Sequence, residues 1–146
     1  MLQTNLVENY ITYSHSIITT ENRLDTQRFK KILIELGFNP ISTGTQYIIE
    51  ELEFFFNNNI FNIKNLNQAY SISAQLHSLD IKNIQWNVES AIFTMNRYAN
   101  IELTRKIFYW YDTYKNITPK FFFNTMLEFL NTNKEMFSLT SKIITQ

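Results

Sequence analysis

Residues 69–99 of this chain, AYSISAQLHSLDIKNIQWNVESAIFTMNRYA, decide its fold class. Apolar side chains recur there every three or four residues on both sides of a short polar break, which is the period of a helix with one buried face. The break falls at Asp80 to Asn83, and Asn83 is a residue type that begins helices well. We therefore predict a helix of about three turns, a turn and a longer helix, which is a helix-turn-helix over about residues 69–99. Consecutive amphipathic helices are common in all-α domains, so this pattern indicates a fold class rather than a function.

Helical periodicity continues outward from this stretch in both directions. The clearest stripe is formed by Phe29, Ile32, Leu33 and Leu36, and Gly37 follows as a typical helix end. Thr118 before Pro119 is a typical helix start. We predict an all-α fold of six or seven helices in a single domain, residues 1–146. The other predicted inward positions are Ile48, Leu52, Phe55, Phe56, Leu66, Ala69, Tyr70, Ile72, Leu76, Ile84, Val88, Ala91, Ile92, Met95, Ala99, Leu103, Ile107, Trp110, Tyr111, Tyr114, Phe122, Met126, Phe129 and Leu130.

The two ends of the chain are less regular than its middle. Residues 1–25 form a predicted N-terminal extension, in which Leu6, Tyr10, Tyr13 and Ile17 are helically spaced although their β-branched neighbours also permit a strand. Residues 132–146 are predicted as a C-terminal tail or a last short helix.

Composition excludes several classes of function. The 146 residues carry 13 Lys plus Arg and 13 Asp plus Glu, so this is not a polyanion binder that works by a large basic excess. Cysteine is absent, which excludes disulfides, thiolate metal sites and thiol nucleophiles. With 2 Gly and 2 Pro, a glycine-rich phosphate loop and a turn-rich β-sandwich are both disfavoured. Aromatic residues make up 16% of the chain, which suggests a helical domain with aromatic surface to spare.

Candidate catalytic groups do not assemble into a recognisable site. His15 has no ligand or carboxylate at helical spacing, and His77 has only Asp80, which lies in the predicted break. The cluster Glu50, Glu51 and Glu53 lacks a histidine three or four residues away, so we interpret it as a solvated helix face. We expect no enzyme activity, no catalytic residue, no metal site and no cofactor.

A family resemblance covers residues 26–130 in order along the chain. The chain resembles the C-terminal effector domain of the stage 0 sporulation protein A family, the response regulators that control endospore formation in low-GC Gram-positive bacteria. The resemblance implies a six-helix, DNA-binding module for transcription regulation, with an effector-like domain at residues 26–131. The matching segments are Ile34-Glu35-Leu36-Gly37-Phe38 with Gly44, Tyr47 and Ile48, then Tyr70 to Leu76, Val88-Glu89-Ser90-Ala91-Ile92, Asn100-Ile101 and Thr118 to Leu130.

Departures from the family concern its switch and its contact residues. We expect no receiver domain in this protein, and the turn, Ser78 to Asn83, is expected to be several residues longer than the family's. Where the family's recognition helix carries arginines, this chain has Asn87, Ser90 and Phe93, whereas Glu89 is retained. Since arginine reads guanine and grips phosphates, these differences predict weaker direct readout.

The residues of the second helix that do not face the core form the predicted contact surface. Among them, Trp86, Ser90, Phe93 and Arg97 recur at helical spacing and form a second stripe. Three explanations for the two aromatic residues stay open. The long turn or the N-terminal segment covers them, they form a protein-contact patch, or they touch thymine methyl groups in an AT-rich site.

These observations lead to one functional expectation and one alternative. The first is a small DNA-binding regulator of AT-rich double-stranded DNA. Its base-facing residues, by resemblance, are Gln85, Asn87, Glu89, Ser90 and Arg97, and its phosphate contacts are Lys82, Arg105, Lys106 and Lys120, although a solvated face explains these cations equally well. The alternative is a diverged domain that has lost DNA binding and acts through a protein partner, with Trp86 and Phe93 as anchors. A homodimer is compatible with both.

Localisation is expected to be cytoplasmic. The first residues have neither a basic head nor an apolar stretch, so no signal peptide is expected. No window approaches the roughly 18 consecutive apolar residues of a membrane span, so no membrane partner is expected.

Overall fold

A computed structural model of the protein describes residues 23–108 and 116–139. The described part is all-α, as predicted, and its only extended pairing is an isolated antiparallel bridge between Leu24 and Ser138. Its seven helices are α1 (Thr26–Leu36), α2 (Thr43–Asn57), α3 (Asn67–His77), α4 (Ile81–Tyr98), α5 (Ile101–Ile107), α6 (Pro119–Thr132) and α7 (Lys134–Phe137). The predictions for residues 1–22, for Trp110, Tyr111 and Tyr114, and for residues 140–146 lie outside this part.

Helix α1 ends at Gly37, as predicted, and its first turn is capped by Asp25. The carboxylate of Asp25 accepts a hydrogen bond from the backbone N–H of Arg28 at 3.2 Å, which satisfies one of the free donors of the first turn. Gly37 ends the helix with φ 114°, a left-handed conformation that favours glycine. A Cβ atom at Gly37 would also lie 3.0 Å from the backbone carbonyl of Tyr98, so the end of α1 packs closely on the end of α4.

Helices α2, α3 and α4 pack against one another and form the centre of the domain. Gly44 allows the first turn of α2 to touch α4, because a Cβ atom there would lie only 1.9 Å from the backbone oxygen of Asn87. The predicted inward stripe of α4, which includes Ile84, Val88 and Met95, is fully buried in this interface. The crossing of α2 and α4 therefore depends on a position without a side chain.

The connection between α3 and α4 is shorter than predicted. Helix α3 ends at His77, Ser78 adopts a left-handed conformation (φ 54°, ψ 44°), and α4 already begins at Ile81. Asp80 is the residue that caps α4, since its carboxylate accepts hydrogen bonds from the backbone N–H groups of Lys82 and Asn83 at 2.8 and 3.3 Å. The predictions of a break from Asp80 to Asn83, of capping by Asn83 and of a long turn are wrong, because this cap starts the helix at Ile81 and so includes Ile81 to Asn83 in it.

The prediction for Leu76, in the last turn of α3, is also wrong. Its side chain was predicted to point into the core, but it is 59% exposed. The spacing is not the reason, because Leu76 lies three residues after the buried Ser73 and four after the buried Ile72, on the same face. It is exposed at the end of α3, one residue before the helix ends at His77.

The remaining helices close the domain around this centre. Thr118 accepts a hydrogen bond from the backbone of Phe121 at 3.4 Å and begins α6, as predicted. The side chain of Asn96 bonds both the N–H and the carbonyl oxygen of Ile117, at 2.8 and 3.0 Å, which ties the entry of α6 to α4. The predicted last short helix is present as α7, and its residue Phe137 is buried and accepts a backbone hydrogen bond from Asp25 at 2.7 Å.

Candidate functional site

The outward face of α4 is the surface on which most of the predicted contact residues lie. Gln85, Glu89, Ser90 and Arg97 are all exposed, while the opposite face of the helix is buried against α2 and α3. The helix has 18 residues, so this face runs along about 27 Å. One long helix therefore presents a continuous surface of polar and aromatic side chains.

Asn87 lies on the flank of this face rather than on it. Its side chain is half-buried, and its amide group donates to the carbonyl oxygen and to the side-chain oxygen of Asn83 at 2.8 and 3.1 Å. Its backbone lies against Gly44 of α2. The structure therefore separates Asn87 from the other four predicted base-facing residues.

Gln85 and Glu89 interact with each other on the exposed face. The Gln85 amide donates to the Glu89 carboxylate at 3.1 Å across one helical turn. The pair is solvent-exposed, so this hydrogen bond holds the Glu89 carboxylate near the middle of the surface without neutralising it.

Trp86 and Phe93 stand out on this face as large apolar side chains in solvent. Trp86 is 75% exposed and Phe93 is 63% exposed. The explanation that a long turn covers them is wrong, because the turn has only three residues, Ser78–Asp80. The N-terminal segment, the other predicted cover, lies outside the described residues. Around the turn, Leu76, Leu79 and Ile81 are exposed as well.

Most of the predicted phosphate-contact residues lie toward the C-terminal end of α4 or beyond it. Arg97 is in the last turn of α4 and stacks over the ring of Tyr98 at 5.6 Å. Arg105 and Lys106 are exposed on α5, and Lys106 is 3.9 Å from Glu102. Lys120 is exposed in the first turn of α6, and Lys82 alone is at the start of α4.

The glutamates of α2 do not form the solvated face that was predicted. Glu50 accepts hydrogen bonds from His77 at 2.9 Å and from the hydroxyl of Ser73 at 3.1 Å, so His77 has a partner after all. Glu53 accepts from the hydroxyl of Thr26 at 2.6 Å. Each of these contacts joins α2 to a neighbouring helix, so these two carboxylates link elements of the fold.

Glu51, which lies between Glu50 and Glu53 in the sequence, is completely buried. Neither of its carboxyl oxygens has a hydrogen-bond partner, and the same holds for the nearby buried hydroxyl of Tyr70. Burial raises the pKa of Glu51 well above its usual range, and the charge of the neighbouring Glu50 raises it further. Burial also raises the pKa of Tyr70. A raised pKa favours the protonated, neutral form of Glu51 in the folded protein.

The cluster of Ser73, Glu50 and His77 is not a nucleophile relay. The carboxylate lies between the hydroxyl and the imidazole, whereas a serine nucleophile needs the imidazole in direct contact with its hydroxyl. Tyr47 packs on the His77 ring with centroids 5.2 Å apart, which makes the cluster part of the packing of α2 on α3. Among the described residues, no three His, Cys, Asp or Glu side chains come together as a metal site.

One open groove of about 610 Å³ lies on α6, away from the cluster of glutamates. Phe61, Lys120, Phe121 and Glu128 are among its lining residues, so it combines apolar rings with both signs of charge. One wall is held in place by Asn124, whose side chain bonds the N–H and the carbonyl oxygen of Ile63 at 2.8 and 3.0 Å.

Comparison with known proteins identifies no relative: no protein-family model, no curated protein and no solved structure matches this chain. Across residues 23–108 and 116–139, no helix has both the length and the apolar character to cross a membrane.

Proposed function

We propose that this protein is a small DNA-binding regulator in which α3, the turn Ser78–Asp80 and α4 act as a helix-turn-helix. The observation that carries the proposal is the arrangement of α4. The helix is packed by α2 and α3 along one side and follows a turn of three residues. Within residues 23–108 and 116–139, its other side is exposed from Lys82 to Arg97. This is the disposition of a recognition helix that enters the major groove. The resemblance to the effector domain of sporulation regulators supports the same function.

The exposed side chains of α4 suit an AT-rich site better than a GC-rich one. Gln85 has the amide that reads adenine, and the rings of Trp86 and Phe93 supply apolar surface for thymine methyl groups. Ser90 lies between these rings and bonds either kind of base, while Arg97 is the one guanidinium on the face. Lys82, Arg105, Lys106 and Lys120 are the proposed phosphate contacts.

Charge limits the affinity that this surface can reach. Over α3, the turn Ser78–Asp80 and α4, Lys82 and Arg97 are balanced by Asp80 and Glu89. The cations of α5 and α6 must therefore supply most of the attraction to phosphates, and binding is expected to be modest and to involve few ions.

Fluorescence anisotropy against AT-rich and random duplexes over a salt series tests the proposal. We expect binding at low salt with a log–log slope of a few units, since each neutralised phosphate contributes roughly 0.9. Double substitution of Arg105 and Lys106 by Ala reduces the slope by nearly two units if both contact phosphates. Glu102→Ala, on the same helix, is the matched control and leaves the slope unchanged or raises it. Absence of binding at low salt by the folded protein contradicts the proposal.

A second function, contact with a protein partner, is favoured by one observation. The rings of Trp86 and Phe93 lie in solvent on the same stripe of α4, and exposed aromatic residues are typical anchors of protein interfaces.

A further inference from the structure

The exposed stripe of α4 has a symmetric order of side chains. Trp86 and Phe93 lie at equal distances along the helix from a point between Glu89 and Ser90, and Lys82 and Arg97 lie at equal distances farther out. At 100° per residue, Lys82, Trp86, Phe93 and Arg97 fall within one narrow strip, with Glu89 and Ser90 on its two edges. All six side chains are exposed.

We propose that two copies of this chain associate through α4, antiparallel about a two-fold axis that passes between Glu89 and Ser90. In a two-fold interface, if one residue of the first copy contacts a second residue of the other copy, that second residue of the first copy also contacts the first residue of the other. The stripe meets this requirement, because Trp86 of each copy then lies against Phe93 of the other, and both exposed rings are covered at once. The inference rests on the proposed function in one respect only: the covered face is the one assigned to DNA.

The centre of the stripe suits a close approach of two helices. Ser90 is small, so the helix axes can come to the usual distance of about 8–10 Å while the two aromatic pairs pack on either side of it. Glu89 of one copy lies opposite Ser90 of the other, where the serine hydroxyl donates to the carboxylate. The central polar groups thus gain partners when the rings are buried.

Area and charge together predict a weak dimer. Covering the exposed parts of Trp86 and Phe93 removes on the order of 300 Å² per copy from water, whereas a stable interface buries about 800 Å² per partner. In addition, Lys82 of one copy lies opposite Arg97 of the other at both ends, a repulsion that is partly screened because these groups are solvated. Association is therefore expected in the micromolar range or weaker.

The dimer and DNA compete for the same surface. Gln85, Glu89, Ser90 and Arg97 are covered or flanked in the pairing, so a dimer cannot place α4 in a major groove. Self-association is then a concentration-dependent off state, and DNA binding draws the protein toward the monomer.

Sedimentation equilibrium of the full chain over a range of concentrations tests the association directly. We expect a monomer–dimer equilibrium that Trp86→Ala and Phe93→Ala each weaken at least tenfold. Ile41→Ala, at an 87% exposed apolar residue between α1 and α2, is the control and leaves the dissociation constant unchanged. A purely monomeric protein at all concentrations overturns the inference, as does an equal loss with Ile41→Ala.

Charge reversal at Lys82 separates the dimer from DNA binding. Lys82→Glu replaces both like-charge contacts with Arg97 by opposite charges, so the dimer is expected to tighten several-fold. The same substitution removes a phosphate contact and weakens DNA binding. A weaker or unchanged dimer overturns the antiparallel register. If the dimer tightens but the wild type does not bind DNA at concentrations where it is monomeric, the proposed function fails and the association stands.

A cross-link gives a readout that does not depend on affinity. Because the chain has no cysteine, Ser90→Cys introduces a single thiol next to the two-fold axis. A short bifunctional thiol reagent is expected to join two copies of this variant, and not two copies of Lys120→Cys, whose thiol is on α6. Equal cross-linking of both variants contradicts the inference.

Discussion

Helix α2 buries a carboxyl group where a hydrophobic side chain would be expected, and helix α4 exposes two aromatic rings where polar side chains would be expected. Glu51 has no exposed surface, whereas Trp86 is 75% exposed. Both departures lie within the same group of three packed helices. The comparison shows that helical periodicity places each residue on a buried or an exposed face whatever its chemistry. A charged residue on the buried face, or an aromatic residue on the exposed face, therefore needs an explanation other than folding.

The two departures affect stability in different ways. A buried carboxylate costs far more than a buried neutral acid, so burial favours the protonated form of Glu51. The rings of Trp86 and Phe93 forgo the favourable burial that an aromatic side chain gains in a core. The buried Glu51 therefore makes stability depend on pH, whereas the exposed rings of Trp86 and Phe93 leave apolar surface available for association.

The largest expected effect is a loss of stability from a substitution at the contact of α2 with the buried side of α4, compared with one on the exposed side of α4. Gly44→Ala places a Cβ atom 1.9 Å from the backbone oxygen of Asn87, and since backbone cannot rotate away, α2 and α4 must separate. We expect a loss of about 3 kcal/mol or more in the free energy of unfolding. Chemical denaturation monitored by circular dichroism measures it. Ser90→Ala, on the exposed side of α4, is the control and is expected to change stability by less than about 0.5 kcal/mol.

The next effect concerns the buried acid. Because the folded pKa of Glu51 is raised, its proton stays bound in the folded state and is released on unfolding. The contribution of Glu51 to stability is therefore fully present below the ordinary glutamate pKa, and it falls as pH rises toward the folded pKa, by up to about 1.4 kcal/mol per pH unit. Glu51→Gln removes this slope. Unfolding of both proteins between acid and neutral pH is the measurement, and the variant is expected to match the wild type at acid pH and exceed it at neutral pH.

An identical pH profile for the two proteins would contradict the assignment of Glu51 as a buried neutral acid. If Glu51→Gln is less stable than the wild type by the same amount at every pH, the amide disturbs the packing or hydrogen bonding of the site and the proton of Glu51 has no part in the effect.

Much of the fold was predictable because the apolar periodicity is strong. The buried stripe of α4 from Ile84 to Met95 is confirmed, as are the left-handed Gly37 and the helix start at Thr118. The turn was not, because Asp80 and Asn83 are both good capping residues and only the packed structure selects between them. For Glu51 a signal existed. It lies three residues after Ile48 and four before Phe55, on the inward stripe of α2, but its charge was given more weight than its position.

The candidate surface was predictable in its residues but not in their grouping. Gln85, Glu89, Ser90 and Arg97 share the exposed face of α4, which the helical period alone determines. Asn87 differs because its neighbour Gly44 belongs to another helix, and no local pattern reveals which residues α2 covers. For the same reason, the pairing of His77 with Glu50 across 27 positions of sequence could not be foreseen.

The smallest expected effect completes the comparison. Phe93→Ala removes a ring that is 63% exposed, so its stability is expected to change by no more than about 0.5 kcal/mol. Phe122→Ala, the same substitution at a fully buried position on α6, is expected to cost about 3–5 kcal/mol. Thermal and chemical unfolding at a concentration that keeps the protein monomeric measures both. If Phe93→Ala costs as much as Phe122→Ala, the ring supports the fold and does not belong to a contact surface. A near-neutral result leaves the exposed stripe of α4 without a folding role, so its aromatic residues must be explained by what the helix contacts.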